Sequence, residues 1–216
     1  MRTWFIVATI ALLAAGCLDE PTSPPDNEVP AETIPTFPTK VAWRALTDGP
    51  QPRTEVCVGN LGPLFYVIGG YFNPSERSLP GAAGLVPWDV ATARVDVYDA
   101  EKDSWTELPD VPVTSIDHCN AIGYNGTVYL FHSSGNWKIS PPQNQWTAIA
   151  DWPNNHNYGG YGQIGGRFYF TGGGSSKVDV YDPTTDSWQT MANEMPTSRG
   201  HTSGAAFDGK LYVVGG

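Results

Sequence analysis

The sequence is poor in charged residues, and poorest in cationic ones. Only 16% of its 216 residues are charged, and 12 Lys and Arg stand against 22 Asp and Glu, which gives a net charge of -10. That sign repels a phosphate backbone, so nucleic acid is not expected as a partner. No stretch after residue 40 has the apolar period of a helix, whereas 24 glycines and 12% aromatic residues are typical of a β-rich chain. These features predict an all-β fold.

The N-terminus has the features of an export signal. A positively charged residue precedes an apolar run from Trp4 to Ala15, which is too short to span a membrane. The segment Leu13-Ala14-Ala15-Gly16-Cys17 resembles the lipobox of bacterial lipoproteins, whose cysteine carries acyl chains after cleavage. We therefore predict a signal peptide over residues 1–16, lipidation of Cys17 and, because Leu18 follows, an anchor in the outer membrane. The alternative is an ordinary secretory signal with a coincidental cysteine.

Residues 17–40 are rich in proline and acidic side chains and show no apolar period. Such a segment cannot bury a core and stays extended. We interpret it as a tether that holds the folded part, residues 41–216, away from the lipid surface.

Beyond residue 40 the chain repeats itself. Four tryptophans mark the units, at intervals of 62, 41 and 42 residues: Trp43, Trp105, Trp146 and Trp188. A tyrosine within an apolar run follows each of them by 23 or 24 residues, and a Gly-Gly pair ends three of the four runs, whereas His132-Ser133 takes that place in the second. Repeats of this length, built from short apolar segments and turns, predict units of four β-strands. An insertion explains the long first interval.

These columns resemble the kelch repeat of the galactose oxidase and kelch-like superfamily, in which an apolar strand ends in Gly-Gly, a third strand carries Tyr and a fourth carries Trp. The resemblance covers residues 41–216 and implies a kelch-type β-propeller of four-stranded antiparallel blades. A WD40 blade has a similar period, but its Gly-His and Trp-Asp signatures are absent at these positions. The repeated positions are expected to build the core rather than a site.

The strand count predicts that the propeller is incomplete. Blade one is expected over residues 53–108, blade two over 115–149 and blade three over 157–191, and a fourth blade has only its first two strands. Residues 41–46 are expected to form a single outer strand of the kind that closes a kelch ring. An open arc leaves unpaired strand edges. We therefore expect a fragment of a longer protein, with closure by oligomerisation as the alternative.

The two faces of the blades differ in their loops. Tight hairpin turns are predicted on one face, at Asn125-Gly126, Gly165-Gly166 and Asp208-Gly209. The insertion, from about residue 71 to 94, and the loops between blades gather on the opposite face, where binding is expected. Exposed indoles stack on sugar rings or apolar side chains, and amides and imidazoles supply hydrogen bonds. The candidate ligand-binding residues there are Trp88, Trp152, Asn154, Asn155 and His156. The alternative is that both tryptophans pack their own loops.

Two arginines are further ligand-binding candidates. Arg53 and Arg199 lie at matching places before first strands, where each could bind a carboxylate. The alternative is that they tie one blade to the next. His118 and His201 also occupy equivalent places, near the expected central channel, but two histidines alone do not predict a metal site.

Two cysteines remain once Cys17 is assigned to the lipid. Cys57 and Cys119 occupy equivalent places in neighbouring blades. An exported protein meets oxidising conditions, which favours a disulfide. Equivalent inner strands can lie too far apart for one, so the pairing stays open.

No catalytic constellation is recognisable. The sequence contains neither the copper, Tyr-Cys and histidine set of galactose oxidase relatives nor a Ser-His-Asp motif or phosphate loop with identifiable spacing. We expect no cofactor, no metal and no catalytic residue, and predict a membrane-anchored binding module for a protein or glycan ligand. The alternative is a carbohydrate-active enzyme that resembles the periplasmic kelch proteins that epimerise sialic acid. In that case Arg53 and Arg199 would face the acidic sugar, and further site residues would lie in blades outside this sequence.

Overall fold

The computed structural model describes residues 6–8, 42–72 and 90–216. Every regular element in these ranges is a β-strand, and nothing there forms a helix that could cross a membrane. In chain order the strands are β1 (Ile6–Ala8), β2 (Cys57–Leu61), β3 (Leu64–Ile68), β4 (Tyr71–Phe72), β5 (Val90–Ala91), β6 (Val95–Asp99), β7 (Ser104–Leu108), β8 (Asn120–Tyr124), β9 (Thr127–His132), β10 (Gly135–Ile139), β11 (Thr147–Ile149), β12 (Gly160–Ile164), β13 (Arg167–Thr171), β14 (Val178–Asp182), β15 (Ser187–Thr190), β16 (Thr202–Phe207) and β17 (Lys210–Gly215).

Three antiparallel four-stranded sheets form the blades. Blade one has the order β2-β3-β6-β7, blade two β8-β9-β10-β11 and blade three β12-β13-β14-β15. A fourth sheet contains β16 and β17, with β1 paired antiparallel to β17. The first strand of each blade lies at the inner edge of the arc, where it contacts the first strand of the next blade. The prediction of three full blades and part of a fourth is confirmed.

The core lies between successive blades. Tyr66, Ile68 and Trp137 belong to the buried cluster that includes residues of blades one and two. The next cluster includes residues of blades two and three and is largely aromatic, with Phe131 and Phe170 completely buried. Aromatic side chains bury large apolar areas, which explains how short strands with few charges hold together.

Glycines let adjacent inner strands approach closely. A Cβ atom on Gly123 of β8 would lie 1.7 Å from the carbonyl oxygen of Asn60 in β2. The hairpin between β8 and β9 turns at Asn125 and Gly126, whose φ angles of 47° and 73° match the predicted turn with two left-handed residues. These hairpins project from one face of the blades, and the loops between blades from the other.

The insertion of blade one contains a small hairpin of its own. Tyr71 pairs with Ala91 and Phe72 with Val90, so β4 and β5 form a two-stranded sheet. Residues 73–89 lie outside the described part of the chain, and with them Trp88.

The expected outer strand over residues 41–46 is not found among its described residues. Residues 42–46 belong to a separate unit of the chain, have no regular structure, and the side chain of Trp43 is 93% exposed. A short strand needs a hydrogen-bonded partner, and these residues pair with no strand.

Candidate functional site

Arg53 is buried within blade one. Its guanidinium donates to Asp96 Oδ2 at 2.6 Å and to the carbonyl oxygens of Gly69 and Arg94, and its side chain is only 3% exposed. Asp96 also accepts a two-bond contact from Arg94. Burial lowers the pKa of Arg53, while the attraction of Asp96 opposes that shift. The side chain therefore joins the strands of its own blade and presents no charge to a ligand.

His156 occupies the corresponding place in blade three. It lies four residues before β12, as Arg53 lies four residues before β2, and it is completely buried. Its Nε2 lies 2.8 Å from Asp179 Oδ2 and its Nδ1 3.2 Å from the carbonyl oxygen of Gly172. Both ring nitrogens therefore have a partner inside the blade. His156 with Asp179 takes the place that Arg53 with Asp96 has in blade one.

Asn154 belongs to the same buried network. Its Nδ2 donates to Asp179 Oδ2 at 2.9 Å, and Thr190 donates to the other carboxylate oxygen at 2.6 Å. Burial alone would raise the pKa of Asp179, but the hydrogen bonds from His156, Thr190 and Asn154 hold it below its ordinary value. Asn154 and His156 consequently support the loop between blades two and three from beneath.

Arg199 lies at the start of the fourth sheet. Its Nη1 donates to the carbonyl oxygen of Gly215 at 2.7 Å, and its backbone pairs with Ser175 of the neighbouring blade. The guanidinium is only half-buried, so it remains accessible at the edge of the arc.

A cleft of about 340 Å³ opens on the loop-rich face beside Trp152. We call it the Trp152 cleft. One wall is the turn between β9 and β10, and the other is the loop that joins blade two to blade three. Its lining residues are His132, Ser133, Ser134, Gly135, Asp151, Trp152 and Asn155. Two of the predicted ligand-binding residues, Trp152 and Asn155, therefore lie in one cavity.

The two walls of the Trp152 cleft are hydrogen-bonded to each other. The Ser133 amide donates to Asn157 Oδ1 at 3.0 Å, and Asn157 Nδ2 donates to the Ser133 hydroxyl at 3.1 Å. Asn155 Oδ1 accepts from the Asn157 amide, which fixes the loop from its other end. The cleft is therefore held open in a defined shape before any ligand arrives.

Trp152 combines packing with partial exposure. Its indole stacks on Phe131 with centroids 6.3 Å apart, and it meets Phe170 and Trp188 at 6.0 and 6.4 Å. The ring is half-buried, so the rest of it faces the cleft. The position of Trp152 is thus compatible with both interpretations of the sequence: the indole can pack its own loop, and it can also bind a ligand. A ring locked by its neighbours loses little entropy when a ligand stacks on it.

His132 brings a neutral imidazole to the cleft. The backbone amide of Ser134 donates to His132 Nδ1 at 3.1 Å, so that nitrogen is the acceptor and the ring proton resides on Nε2. Burial lowers the pKa of His132, which maintains the neutral form at pH 7. With the nearby Asp151 carboxylate and the serine hydroxyls, the cleft offers both donors and acceptors around an aromatic platform.

A second group of polar side chains lies at the inner edge of the arc. Four residues, one from each sheet, precede the first strands and have left-handed backbones: Glu55, His118, Tyr158 and His201, with φ between 48° and 55°. A backbone hydrogen bond links each segment to the next, from the His118 amide to Glu55, from Tyr158 to His118 and from Thr202 to Tyr158. Together with Asp117, these four side chains form what we call the rim cluster.

The side chains of the rim cluster contact one another across all four sheets. His118 lies between two carboxylates, with Nε2 3.1 Å from Glu55 and Nδ1 3.2 Å from Asp117. The ring of His201 stacks on Tyr158 at 4.5 Å and meets His118 edge-on at 5.6 Å. His118 and His201, which occupy equivalent places in the sequence, therefore lie together.

A disulfide joins Cys57 to Cys119 beneath the rim cluster. Cys57 is the first residue of β2 and Cys119 immediately precedes β8, and their Cα atoms are 5.5 Å apart. That distance lies within the normal range, which answers the question that the sequence left open. The bond crosslinks blades one and two at their inner edge.

Sequence reasoning missed most of the lining of the cleft and part of the rim cluster. The signal for His132 was present, because His132-Ser133 stands where the other repeats carry Gly-Gly. Glu55 and Tyr158 occupy the same position in their repeats as His118. Because the three residue types differ, this equivalence becomes visible only when the strands are aligned. Asp117 had no signal in the repeat pattern.

Comparison with known proteins agrees with the observed fold. No protein-family model matches the chain. The chain is 22% identical to a kelch-like protein, terF, of Aspergillus terreus over 98% of its own length and 48% of the relative's, and 27% identical to kelch-like protein 36 of Rattus norvegicus over 81% of its length and 29% of the relative's. It thus spans about half or less of these curated relatives.

A solved structure also resembles the chain in its fold. The structure of YjhT superposes with a TM-score of 0.65 at 16% sequence identity, over 80% of this chain and 62% of that one. Such a likeness shows the fold. The chain therefore has the fold of a kelch-type β-propeller, an incomplete all-β arc of antiparallel four-stranded blades.

Proposed function

We propose that the chain is a lipid-anchored module that binds a ligand on its loop-rich face, with the Trp152 cleft as the contact point. The observation that carries the proposal is the meeting of Trp152 and Asn155 with His132 and Asp151 in one preformed cavity. Kelch-repeat proteins generally mediate protein interactions, which favours a protein ligand. The volume of about 340 Å³ suits one inserted side chain rather than a whole domain.

A protein ligand would use the cleft as an anchor pocket. An aromatic or aliphatic side chain stacked on the indole of Trp152 would be desolvated, while Ser133, Ser134 and Asn155 at the mouth would hydrogen-bond its backbone. The exposed Asp151 would favour a donor or a cation at the edge of the cleft. Binding energy would then concentrate in a few residues.

A glycan is the second candidate ligand, and the shape and lining of the same cavity favour it. One sugar ring fits the volume, an indole is the surface on which such rings stack, and carboxylate, amide and hydroxyl groups surround it. The alternative of an enzyme that acts on sialic acid depends on Arg53 and Arg199. The two arginines do not share a site, because Arg53 is committed to Asp96 inside blade one.

The membrane anchor is a proposal that depends on Cys17 alone. The tether over residues 17–40 would give the blades their distance from an outer-membrane surface. Cell fractionation tests it: the chain should sediment with membranes, and the Cys17→Ser variant should be found in the soluble fraction. Equal partitioning of both proteins would exclude lipidation as the anchor.

Replacement of Trp152 tests the binding site. We expect Trp152→Ala to weaken binding of the ligand by at least about tenfold, the effect typical of a buried aromatic anchor. The ligand is first identified by pull-down and glycan array with the full chain, and affinities are then compared by calorimetry. Asp151→Ala and Asn155→Ala, which leave the aromatic cluster untouched, should weaken it as well.

Two further variants make the result decisive. Trp105→Ala removes a half-buried indole on the outer strand of blade one, away from the cleft, and should bind like the wild-type chain. Trp88→Ala tests the insertion, whose tip lies outside the described residues. Wild-type affinity in all three cleft variants would reject the Trp152 cleft as the site.

A further inference from the structure

The rim cluster contains a set of metal-ligand atoms that belongs to no function discussed so far. One ligand atom each from Glu55, Asp117 and His118 lies within 4.8 Å of the other two. Glu55 comes from the segment before β2, while Asp117 and His118 precede β8, so the set spans two blades. We infer that these three residues form a binding site for a divalent transition-metal cation of the zinc class.

The donor types point to that class of ion. An imidazole nitrogen with two carboxylate oxygens is a mixed nitrogen and oxygen set, which suits Zn²⁺ and its neighbours, whereas Ca²⁺ and Mg²⁺ prefer sites built from oxygen alone. Within the described part of the chain, the two cysteines beside the cluster supply no competing ligand, because Cys57 and Cys119 are joined in the disulfide. The ion would therefore be held by histidine and carboxylates.

Electrostatics favour a cation at this position. Two carboxylates flank one imidazole, so the group carries an excess of negative charge. A bound divalent ion would neutralise both carboxylates at once. The overall charge of -10 adds a weaker attraction of the same sign.

The cluster is partly open to solvent. The side chains of Asp117, His118 and Glu55 are 21%, 26% and 35% exposed, so an ion could reach them without local unfolding. Three protein ligands leave at least one coordination position for water or for another group. The ring of His201 meets that of His118 edge-on, with the ring centroids 5.6 Å apart.

Neighbouring groups hold the ligands in place. The hydroxyl of Tyr71 donates to Asp117, and this hydrogen bond raises the pKa of Tyr71 to about 12. Outer hydrogen bonds of this kind orient the carboxylates of metal sites. The disulfide fixes the same seam, because Cys57 lies two residues after Glu55 and Cys119 directly follows His118. The two halves of the site are thus covalently held together.

Zinc titration of the full chain tests the inference. The protein carries Cys17→Ser, which removes the remaining thiol, and is freed of metal with a chelator before calorimetry with Zn²⁺ alone. We expect about one Zn²⁺ per chain. Glu55→Gln, Asp117→Asn and His118→Asn should each weaken binding at least about tenfold, and Tyr71→Phe by a comparable factor. Asparagine is chosen at residue 118 because it tolerates the left-handed backbone there.

The controls separate this site from general attraction to acidic residues. Glu101→Gln removes an exposed carboxylate in a turn of blade one and should leave affinity unchanged. Co²⁺ should give a visible absorption band in the parent protein that disappears in His118→Asn. Circular dichroism confirms that each variant is folded before its affinity is compared. Equal zinc affinity in all variants, no zinc uptake, or tighter binding of Ca²⁺ than of Zn²⁺ would each overturn the inference.

Discussion

Replacement of Asp96 by alanine should lower the free energy of unfolding by about 3–5 kcal/mol, the cost of leaving a buried charge without its partner. Asp96 has no exposed side-chain surface, and the guanidinium of Arg53 beside it is 3% exposed. Removal of the carboxylate leaves that cation buried between β3 and β6 with only carbonyl groups to bind. Urea unfolding, followed by tryptophan fluorescence, measures the loss.

The chain itself supplies the matched control for this experiment. Blade two has neutral residues at these places. Ile116 lies four residues before β8, as Arg53 lies four residues before β2. Trp137 has the register position of Asp96, paired with the residue that follows the repeat tyrosine. A neutral pair is therefore compatible with a blade. The double variant Arg53→Ile and Asp96→Asn should be much more stable than Asp96→Ala alone. Similar destabilisation by both variants would show that the buried charge is not the cause.

Reduction of the disulfide between Cys57 and Cys119 should lower the free energy of unfolding by a comparable amount. The bond closes a loop of 62 residues and restricts the unfolded chain, which stabilises the folded state by about 4 kcal/mol. The double variant Cys57→Ser and Cys119→Ser should lose the same free energy of unfolding. Urea unfolding with and without a reductant measures it, and thiol labelling shows that the bond is broken.

The double serine variant also serves as the control for the reductant, because its unfolding midpoint should not respond to it. Since the bond lies next to Glu55 and His118, its loss should in addition weaken zinc binding at the rim cluster. An unchanged midpoint in fully reduced wild-type protein would show that the blades hold this seam without the crosslink.

The architecture was accessible from the sequence because its repeats constrain each other. Tyr66 and Tyr181 are buried at repeat positions, and a column of aromatic residues at constant spacing leaves few other folds. The blade boundaries follow from the same columns. The strand expected over residues 41–46 was not found among residues 42–46, because an apolar pattern cannot show whether a partner strand is present.

The sites were harder to predict, for reasons that differ from residue to residue. His156 and Asn154 are polar residues in a loop of the face where binding is expected. Both side chains nevertheless bind Asp179 inside the blade, and this contact depends on strands that are distant in the sequence. His132 was visible only as a departure from Gly-Gly. The rim cluster could not be predicted, because its segments are 40 to 63 residues apart in the sequence and meet only in the folded arc.

Hydrogen exchange with and without the ligand tests the central claim most directly, since it locates the bound surface whether the ligand is a protein or a glycan. The full chain is incubated in heavy water alone and with saturating ligand, and peptides from both faces are compared. Binding at the Trp152 cleft should protect residues 132–135 and 151–157 and leave the hairpins at residues 125–126, 165–166 and 208–209 unchanged. Protection of those hairpins, with none around Trp152, would contradict it.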